Sequence, residues 1–377
     1  MPFTSLGLPK YFSKMLAAQN YLRPYPIQQA AIGAILQGKD ILGIAQTGSG
    51  KTASYVLPIL TNVQAKRPAK KNPLKVLVLV PTRELAMQVE EVFNSFAAAL
   101  PRPVKTLAVY GGVSKNVQMK ALRGVNILVA TPGRLLDLIE SNAVQLGHTT
   151  TLVLDEADKM LNLGFKEEMD RIFKLLPTQR QNLLFSATLS ENVDNINQFL
   201  LHDPVVIKIE AKEEGLDQIN QLAYWVSEEK KGPLLRYIIQ HNNLTQVLVF
   251  TSSGRKAENV ANKLIKNGIN ALAIHGKKSQ GARTEALRLF KTGKLRVLVT
   301  TDLLARGIDI EFLPCVINYA LPRSPKDYVH RIGRTGRAEA KGDAISLVTP
   351  DDKPHFRTIQ KKMGKWVDMI DSEKIDF

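Results

Sequence analysis

Glycines, a lysine and a hydroxyl at fixed spacing are what a polyphosphate requires, and Ala45-Gln46-Thr47-Gly48-Ser49-Gly50-Lys51-Thr52 supplies them. The run sits between the strand-like Ile41-Leu42-Gly43-Ile44 and a helical stretch, the setting of a phosphate-binding loop. Gly48 and Gly50 let backbone N–H groups turn inward around phosphate, Lys51 can neutralise the β- and γ-oxygens, and the Thr52 hydroxyl can ligate Mg²⁺. Ala45 stands where the general pattern has Gly. A glycine-rich turn without a ligand is the bland alternative, and the Gly-Lys-Thr ending in this setting argues against it.

Asp155-Glu156-Ala157-Asp158 follows the apolar Thr151-Leu152-Val153-Leu154, so its carboxylates emerge at a strand's C-terminal end, where open α/β sheets bind ligands. Asp155 is placed to hold Mg²⁺, partly through water, and Glu156 to orient or deprotonate the water that attacks a γ-phosphate. Asp158 is expected to bond both hydroxyls of Ser186-Ala187-Thr188, which follows another strand, Asn182-Leu183-Leu184-Phe185. Without the phosphate loop, the acidic quartet reads better as the acidic start of a helix, and Ser-Ala-Thr as an N-cap. In the second half, His330-Arg331-Ile332-Gly333-Arg334-Thr335-Gly336-Arg337 carries two arginines, Arg334 and Arg337, around a flexible Thr-Gly pair. Arginines that reach a transferring phosphoryl group contribute about 10³ to 10⁵ in rate, although a plain basic loop has the same local features.

Elements able to position these groups are legible as short β-branched runs bounded by turn residues: Val76–Val80, Ile127–Ala130, Leu152–Leu154, Leu183–Phe185, Val247–Phe250, Val297–Val299 and Val316–Ile317. Continuous apolar runs of this length fit buried parallel strands. Helical-period stretches such as Glu84–Phe93 and Ala257–Leu264 lie between them, which predicts stacked βαβ units of the α/β class. The rhythm stops between Ile207 and Gln221, so the expected division is a first lobe over 1–209, a linker over 210–217 and a second lobe over 218–377. Ile127–Arg134 and Val297–Arg306 echo one another, each running from an apolar strand through Thr to Arg. The basic, proline-punctuated stretch from Lys66 to Pro73 reads as a solvated connector, and Asp351–Phe377 as a mixed-charge helical segment covering the second lobe.

A chain of 377 residues is long enough for about two domains, and 44% hydrophobic with 23% charged residues is ordinary for a folded globular protein. Lys and Arg total 51 against 35 Asp and Glu, and the resulting +16 favours anionic partners without naming one. Cys315 is the only cysteine, which excludes an internal disulfide and a Cys-based zinc site and fits a reducing cytosol. The N-terminus lacks a secretory pattern and no apolar run reaches the roughly 20 residues of a membrane span, so a cytoplasmic protein without membrane association is expected.

From about Phe3 to Val348 the chain resembles the DEAD-box RNA helicases. The resemblance rests on Pro24-Tyr25-Pro26-Ile27-Gln28, the phosphate loop, Pro81-Thr82-Arg83-Glu84-Leu85-Ala86, Gly111-Gly112, Thr131-Pro132-Gly133-Arg134, the Asp155 and Ser186 clusters, Ala305-Arg306-Gly307-Ile308-Asp309 and His330–Arg337. It implies two tandem RecA-like lobes, each a mostly parallel sheet flanked by helices. It also implies an RNA-stimulated ATPase that uses ATP and Mg²⁺ to clamp single-stranded RNA and separate short duplexes or remodel RNA–protein assemblies, acting as a monomer. A clamp or assembly factor with little unwinding is the alternative within the same resemblance. By resemblance, Gln28 reads adenine with Phe3 stacked on it, Asp309 contacts the ribose, and His330 couples nucleotide to RNA with Asp158, Ser186 and Thr188. Arg83, Gly112, Thr131, Gly133 and Arg134 resemble the family's RNA-backbone contacts on the first lobe, and Arg283 and Thr301 those on the second. Asn20 and Tyr25 depart from the usual Gly and Thr of the adenine motif, and Ile308 from a usual Leu.

Overall fold

The computed structural model describes residues 2–19, 21–46, 48–65, 73–189, 193, 196, 200–209, 219–302, 313–336 and 342–375. The chain divides into two compact units, Met1–Ala211 and Lys212–Phe377.

The first unit is built on β1 (Ile41–Ile44), β2 (Val76–Leu79), β3 (Thr106–Val109), β4 (Ile127–Ala130), β5 (Thr151–Asp155), β6 (Gln181–Ser186) and β7 (Val205–Lys208), in the order β3-β4-β2-β5-β6-β1-β7. Every neighbouring pair is parallel. The apolar runs are continuous because both faces of the sheet are covered. Val76, Val78, Ile127, Val129 and Val153 pack into one core, while Leu77, Leu79, Leu128, Leu152 and Leu154 pack into another on the opposite face. Around the sheet lie, among others, α1 (Ser13–Ala18), α2 (Pro26–Leu36), α3 (Lys51–Ala65), α4 (Arg83–Ala97), α5 (Lys115–Ala121), α6 (Pro132–Glu140), α7 (Ala157–Asn162) and α8 (Lys166–Lys174).

The second unit contains β8 (Ile219–Trp225), β9 (Val247–Phe250), β10 (Ala271–Ala273), β11 (Val297–Thr300), β12 (Cys315–Asn318), β13 (Gly342–Val348) and β14 (Asp368–Asp371), in the order β10-β11-β9-β12-β13-β8-β14. Its helices among the described residues include α9 (Lys231–His241), α10 (Gly254–Lys266), α11 (Gln280–Lys291), α12 (Pro325–Ile332) and α13 (Lys353–Met363). Numbering each unit's strands from one gives the same order, 3-4-2-5-6-1-7, in both. The two segments that echo one another in sequence, at Ile127 and at Val297, are β4 and β11, the same position in the two sheets.

β7 pairs with β1 as an edge strand and ends at Lys208, and β8 begins at Ile219. One expectation is corrected, because the segment after Pro350 is not wholly helical: α13 ends at Gly364, whose φ of 71° is a left-handed cap, and Asp368–Asp371 pairs with β8 as the sheet's last strand. Flanking aspartates hide that strand, since only Met369 and Ile370 between them are half-buried. The expected linker, 210–217, lies outside the described residues. No helix among the described residues is long and apolar enough to cross a membrane.

Candidate functional site

Strand order places the polar clusters together. β6 lies between β5 and β1, with Ser186 beside Ile44 and Phe185 beside Asp155, so the phosphate loop, the acidic quartet and Ser-Ala-Thr leave adjacent strand ends. Gly48 (φ 80°) and Gly50 (φ 85°) adopt the left-handed backbone that a side chain disfavours, and they turn the loop into α3. Lys51, the first residue of α3, is 7% exposed and donates from Nζ to the carbonyl oxygens of Ala45 (2.5 Å) and Gln46 (2.8 Å). The loop is folded on its own ammonium group. Thr52 follows on the same helical turn, half-buried.

Burial dominates the electrostatics here. It lowers the proton affinity of Lys51, opposed by the carboxylates of Asp155 and Glu156, and raises that of Asp155, opposed by Lys51 and by a hydrogen bond from Tyr55. Glu156 is also pushed up by burial, and the neighbouring Lys159 ammonium opposes the shift. Each charged group is paired but short of solvation, which suits an incoming phosphate–metal charge. Glu156 has φ 57° and ψ 47°, a left-handed conformation costing about 1–3 kcal/mol in a residue with a side chain and concentrated at functional sites. Its Oε1 lies 2.5 Å from Lys159 Nζ, whereas Oε2, like Asp158 Oδ1, is buried with no hydrogen-bond partner among the described residues.

The expected hydroxyl pair is corrected in one half. Thr188 Oγ1 donates to Asp158 Oδ2 at 3.1 Å. The Ser186 hydroxyl instead donates to the Thr188 carbonyl oxygen (2.8 Å) and accepts from the Thr188 N–H (3.3 Å), because a residue at the strand end can satisfy its hydroxyl on the turn it begins.

Two contacts at this site involve residues that motif reading passed over. Tyr55 is fully buried, stacked at a tilt against Phe185 (centroids 5.4 Å apart) and Phe93 (6.3 Å), and its hydroxyl donates to Asp155 Oδ2 at 2.8 Å. It stands one helical turn after Lys51, which was the available signal. Lys159, one turn after Glu156, is the second.

Gln28 is fully buried on α2; Oε1 accepts the Tyr25 N–H (2.9 Å) and Nε2 donates to the Gly50 carbonyl oxygen (3.1 Å). A Gln amide has two donors and two lone pairs, so one of each remains for a base edge. Gln28 therefore ties the expected adenine motif to the last glycine of the phosphate loop. Tyr25 takes part through its backbone, which makes its departure from Thr compatible with this arrangement. Phe3 is buried and meets Tyr21 edge to face at 6.3 Å.

The expected RNA contacts of the first unit gather at the ends of three adjacent strands: Gly112 after β3, Thr131 to Arg134 after β4, and Arg83 after β2. Gly112 (φ 79°) lies under the Arg83 guanidinium, which a Cβ at 112 would overlap. Thr131 is the N-cap of α6 and Gly133 lies in that helix's first turn with open space around it. Arg134 Nη1 donates to the Val113 carbonyl oxygen and to Gln118 Oε1, both at 2.9 Å, and so braces the same loop from within.

In the second unit, Thr301 follows β11 half-buried, and Arg283 is buried on α11. His330 lies in the last turn of α12 and Arg334 just after it, 8% exposed. Arg331 is the anchor of that turn. It pairs with both carboxylate oxygens of Asp302, donates to Asn318 Oδ1 (3.0 Å) and to the Ala320 carbonyl oxygen (2.6 Å), and lies over the Phe250 ring. Asp309 and Arg337 lie outside the described residues.

No cluster of three or more His, Cys, Asp or Glu suited to a metal occurs among the described residues. Thr52 and Asp155 are oxygen donors of the kind Mg²⁺ takes when nucleotide oxygens and water complete its shell, so the residues present fit that ion.

Comparison with known proteins gives a consistent picture. The family model described as DEAD/DEAH box helicase matches residues 25–196, and that described as helicase conserved C-terminal domain matches residues 229–339. The chain is 39% identical over 362 residues to the ATP-dependent RNA helicase CshA of Limosilactobacillus reuteri, covering 96% of this chain and 72% of that protein. It is 38% identical over 378 residues to the ATP-dependent RNA helicase DeaD of Buchnera aphidicola, covering all of this chain and 62% of that relative's length. The structure of S. cerevisiae Dbp5 bound to RNA and ADP BeF3 is similar with a TM-score of 0.85 at 30% identity, over 99% of this chain and 96% of that one.

Proposed function

The chain belongs to the DEAD/DEAH box helicase family, and from that premise we propose that it is an ATP-dependent RNA helicase that couples ATP binding and hydrolysis to clamping of single-stranded RNA and local separation of short duplexes. The observation that carries the nucleotide half is the buried Lys51–Asp155–Glu156 cluster, with the Glu156 carboxylate oxygen Oε2 unpartnered beside the phosphate loop. ATP entering the loop takes over Lys51 from the Ala45 and Gln46 carbonyls. Thr52 and Asp155 would hold Mg²⁺, which when bound neutralises charge on the β- and γ-oxygens. Glu156 Oε2 then orients the attacking water and accepts its proton, while Lys159 fixes Oε1. Asp158 and Thr188 transmit the state of the nucleotide, and Arg83, Gly112, Thr131, Gly133 and Arg134 hold the RNA backbone, joined by Arg283 and Thr301. In the ATP- and RNA-bound state, Arg334 and Arg337 supply positive charge to the γ-phosphate. Contacts to backbone and ribose hydroxyls are sequence-tolerant, weaken with salt and favour RNA over DNA.

A short RNA duplex with a single-stranded overhang tests the output. Strand release with ATP supports the helicase reading; RNA held with ATP or a non-hydrolysable analogue, without strand release, assigns the chain to clamping instead.

Two substitutions test the nucleotide site. Gln28→Ala removes the base-edge donor and acceptor together with the bonds to Tyr25 and Gly50. It raises KM for ATP and reduces the ATP-over-GTP ratio of kcat/KM by about tenfold or more, since a bidentate base contact carries about 1–3 kcal/mol of discrimination. An unchanged ratio places adenine recognition elsewhere. Tyr55→Phe keeps the ring packing and deletes the hydroxyl that donates to Asp155. A fluorescent ATP analogue titrated with Mg²⁺ then needs about tenfold more metal for half-saturation, as when groups supporting a metal ligand are lost. The same Mg²⁺ dependence as wild type means Tyr55 has only a packing role.

A further inference from the structure

Trp366 is 73% exposed, second only to Leu22 among the large apolar side chains of the described residues. An indole so displayed is unusual, and its surroundings are strongly charged. From Lys353 to Trp366 the chain contains Lys353, Arg357, Lys361, Lys362 and Lys365 and no acidic residue. On α13, Phe356, Ile359 and Gln360 face the core, so Arg357, Lys361 and Lys362 stand exposed on the opposite side. Arg357 and Lys361 are one helical turn apart, and none of these three side chains has an ion-pair or hydrogen-bond partner among the described residues.

The display is rigid rather than a frayed end. Gly364 turns the chain in the left-handed conformation, and Val367 is buried, its N–H donating to Gln360 Oε1 at 2.9 Å. With its neighbour locked inward and β14 beginning at Asp368, Trp366 is held outward. The acids at its margins make no ion pair with these cations among the described residues: the Asp352 carboxylate accepts from Thr349 and lies near Lys231, Asp371 caps the next turn, and Asp351, Asp368 and Asp371 are exposed.

We infer that Trp366 with Arg357, Lys361 and Lys362 forms a second contact for single-stranded RNA on the second unit, the indole stacking on a base and the cations meeting phosphates. An exposed aromatic beside unpaired cations is the combination that binds single strands without reading sequence. The inference rests on the chain being an RNA-binding ATPase, and it adds a site that the phosphate-loop and strand-end contacts do not include.

Trp225 and Trp366 are the only tryptophans, and Trp225 lies half-buried under Lys353, so Trp225→Phe leaves Trp366 as the sole reporter. With a non-hydrolysable ATP analogue present, emission is followed against oligouridylates of about 5 and about 30 nucleotides. The long RNA quenches Trp366. In the wild-type background, Trp366→Ala weakens binding of the long RNA about tenfold and leaves the short one unchanged. Lys361→Glu with Lys362→Glu lowers the slope of log affinity against log salt by at least about 1.4 for the long RNA, at about 0.7 per lost phosphate contact. Full binding of the long RNA with unaltered Trp366 emission, or with wild-type affinity in these variants, overturns the inference. Failure of both RNAs to bind wild type instead overturns the RNA reading it rests on.

Discussion

Arg334→Ala lowers kcat for RNA-stimulated ATP hydrolysis by about 10³-fold or more, with KM for ATP close to wild type, because charge supplied to a transferring phosphoryl group acts mainly in the transition state. The turn that carries Arg334 is independently anchored. Arg331 is pinned to Asp302, Asn318 and Ala320, and the Arg334 backbone oxygen accepts from the Leu313 N–H at 3.0 Å. Truncating the Arg334 side chain leaves those bonds in place, so thermal unfolding distinguishes lost chemistry from lost structure. Arg334→Lys recovers little, since a flexible point charge does not reproduce a planar fork. Pre-steady-state hydrolysis with saturating RNA is the measurement. A rate within threefold of wild type removes Arg334 from the reaction.

Glu156→Gln nearly abolishes hydrolysis while ATP and RNA still bind. A positioned general base contributes about 10² to 10⁴, and the amide keeps the shape of the carboxylate without its capacity to take a proton. Gln Oε1 can still accept from Lys159, so the buried ammonium retains a partner. The strained backbone at 156 is unchanged by the substitution. The expected signature is therefore an ATP-locked complex: near-normal nucleotide and RNA affinity with turnover lost. Wild-type turnover contradicts the role given to Glu156, whereas loss of ATP binding would mean that this carboxylate shapes the pocket rather than the reaction.

The candidate clusters were legible because each is contiguous and follows an apolar run, and a parallel sheet brings such strand ends to one edge. Contacts between distant segments were not legible. Tyr55 meets Asp155 across 100 residues and Arg331 meets Asp302 across 29, and no local pattern announces either pair. Ser186 shows the limit at short range, since composition cannot say whether a hydroxyl faces a carboxylate or its own turn. Arg134 was expected at RNA, yet its Nη1 is bonded within the loop, so its direct effect and its bracing of the Gly112 segment are entangled. The internal repeat is nearly invisible in residues and complete in connectivity, since burial on both faces constrains strand order and apolar character without constraining identity. The last strand, Asp368–Asp371, was hidden by its charged ends and its edge position.

ATP hydrolysis by the full chain, measured with and without single-stranded RNA and with DNA of the same sequence, decides whether RNA and nucleotide are coupled in this protein. The expected result is a low basal rate, stimulation of about tenfold or more by RNA, as for coupled sites, and little response to DNA. Hydrolysis that proceeds at the same rate with and without RNA would contradict it.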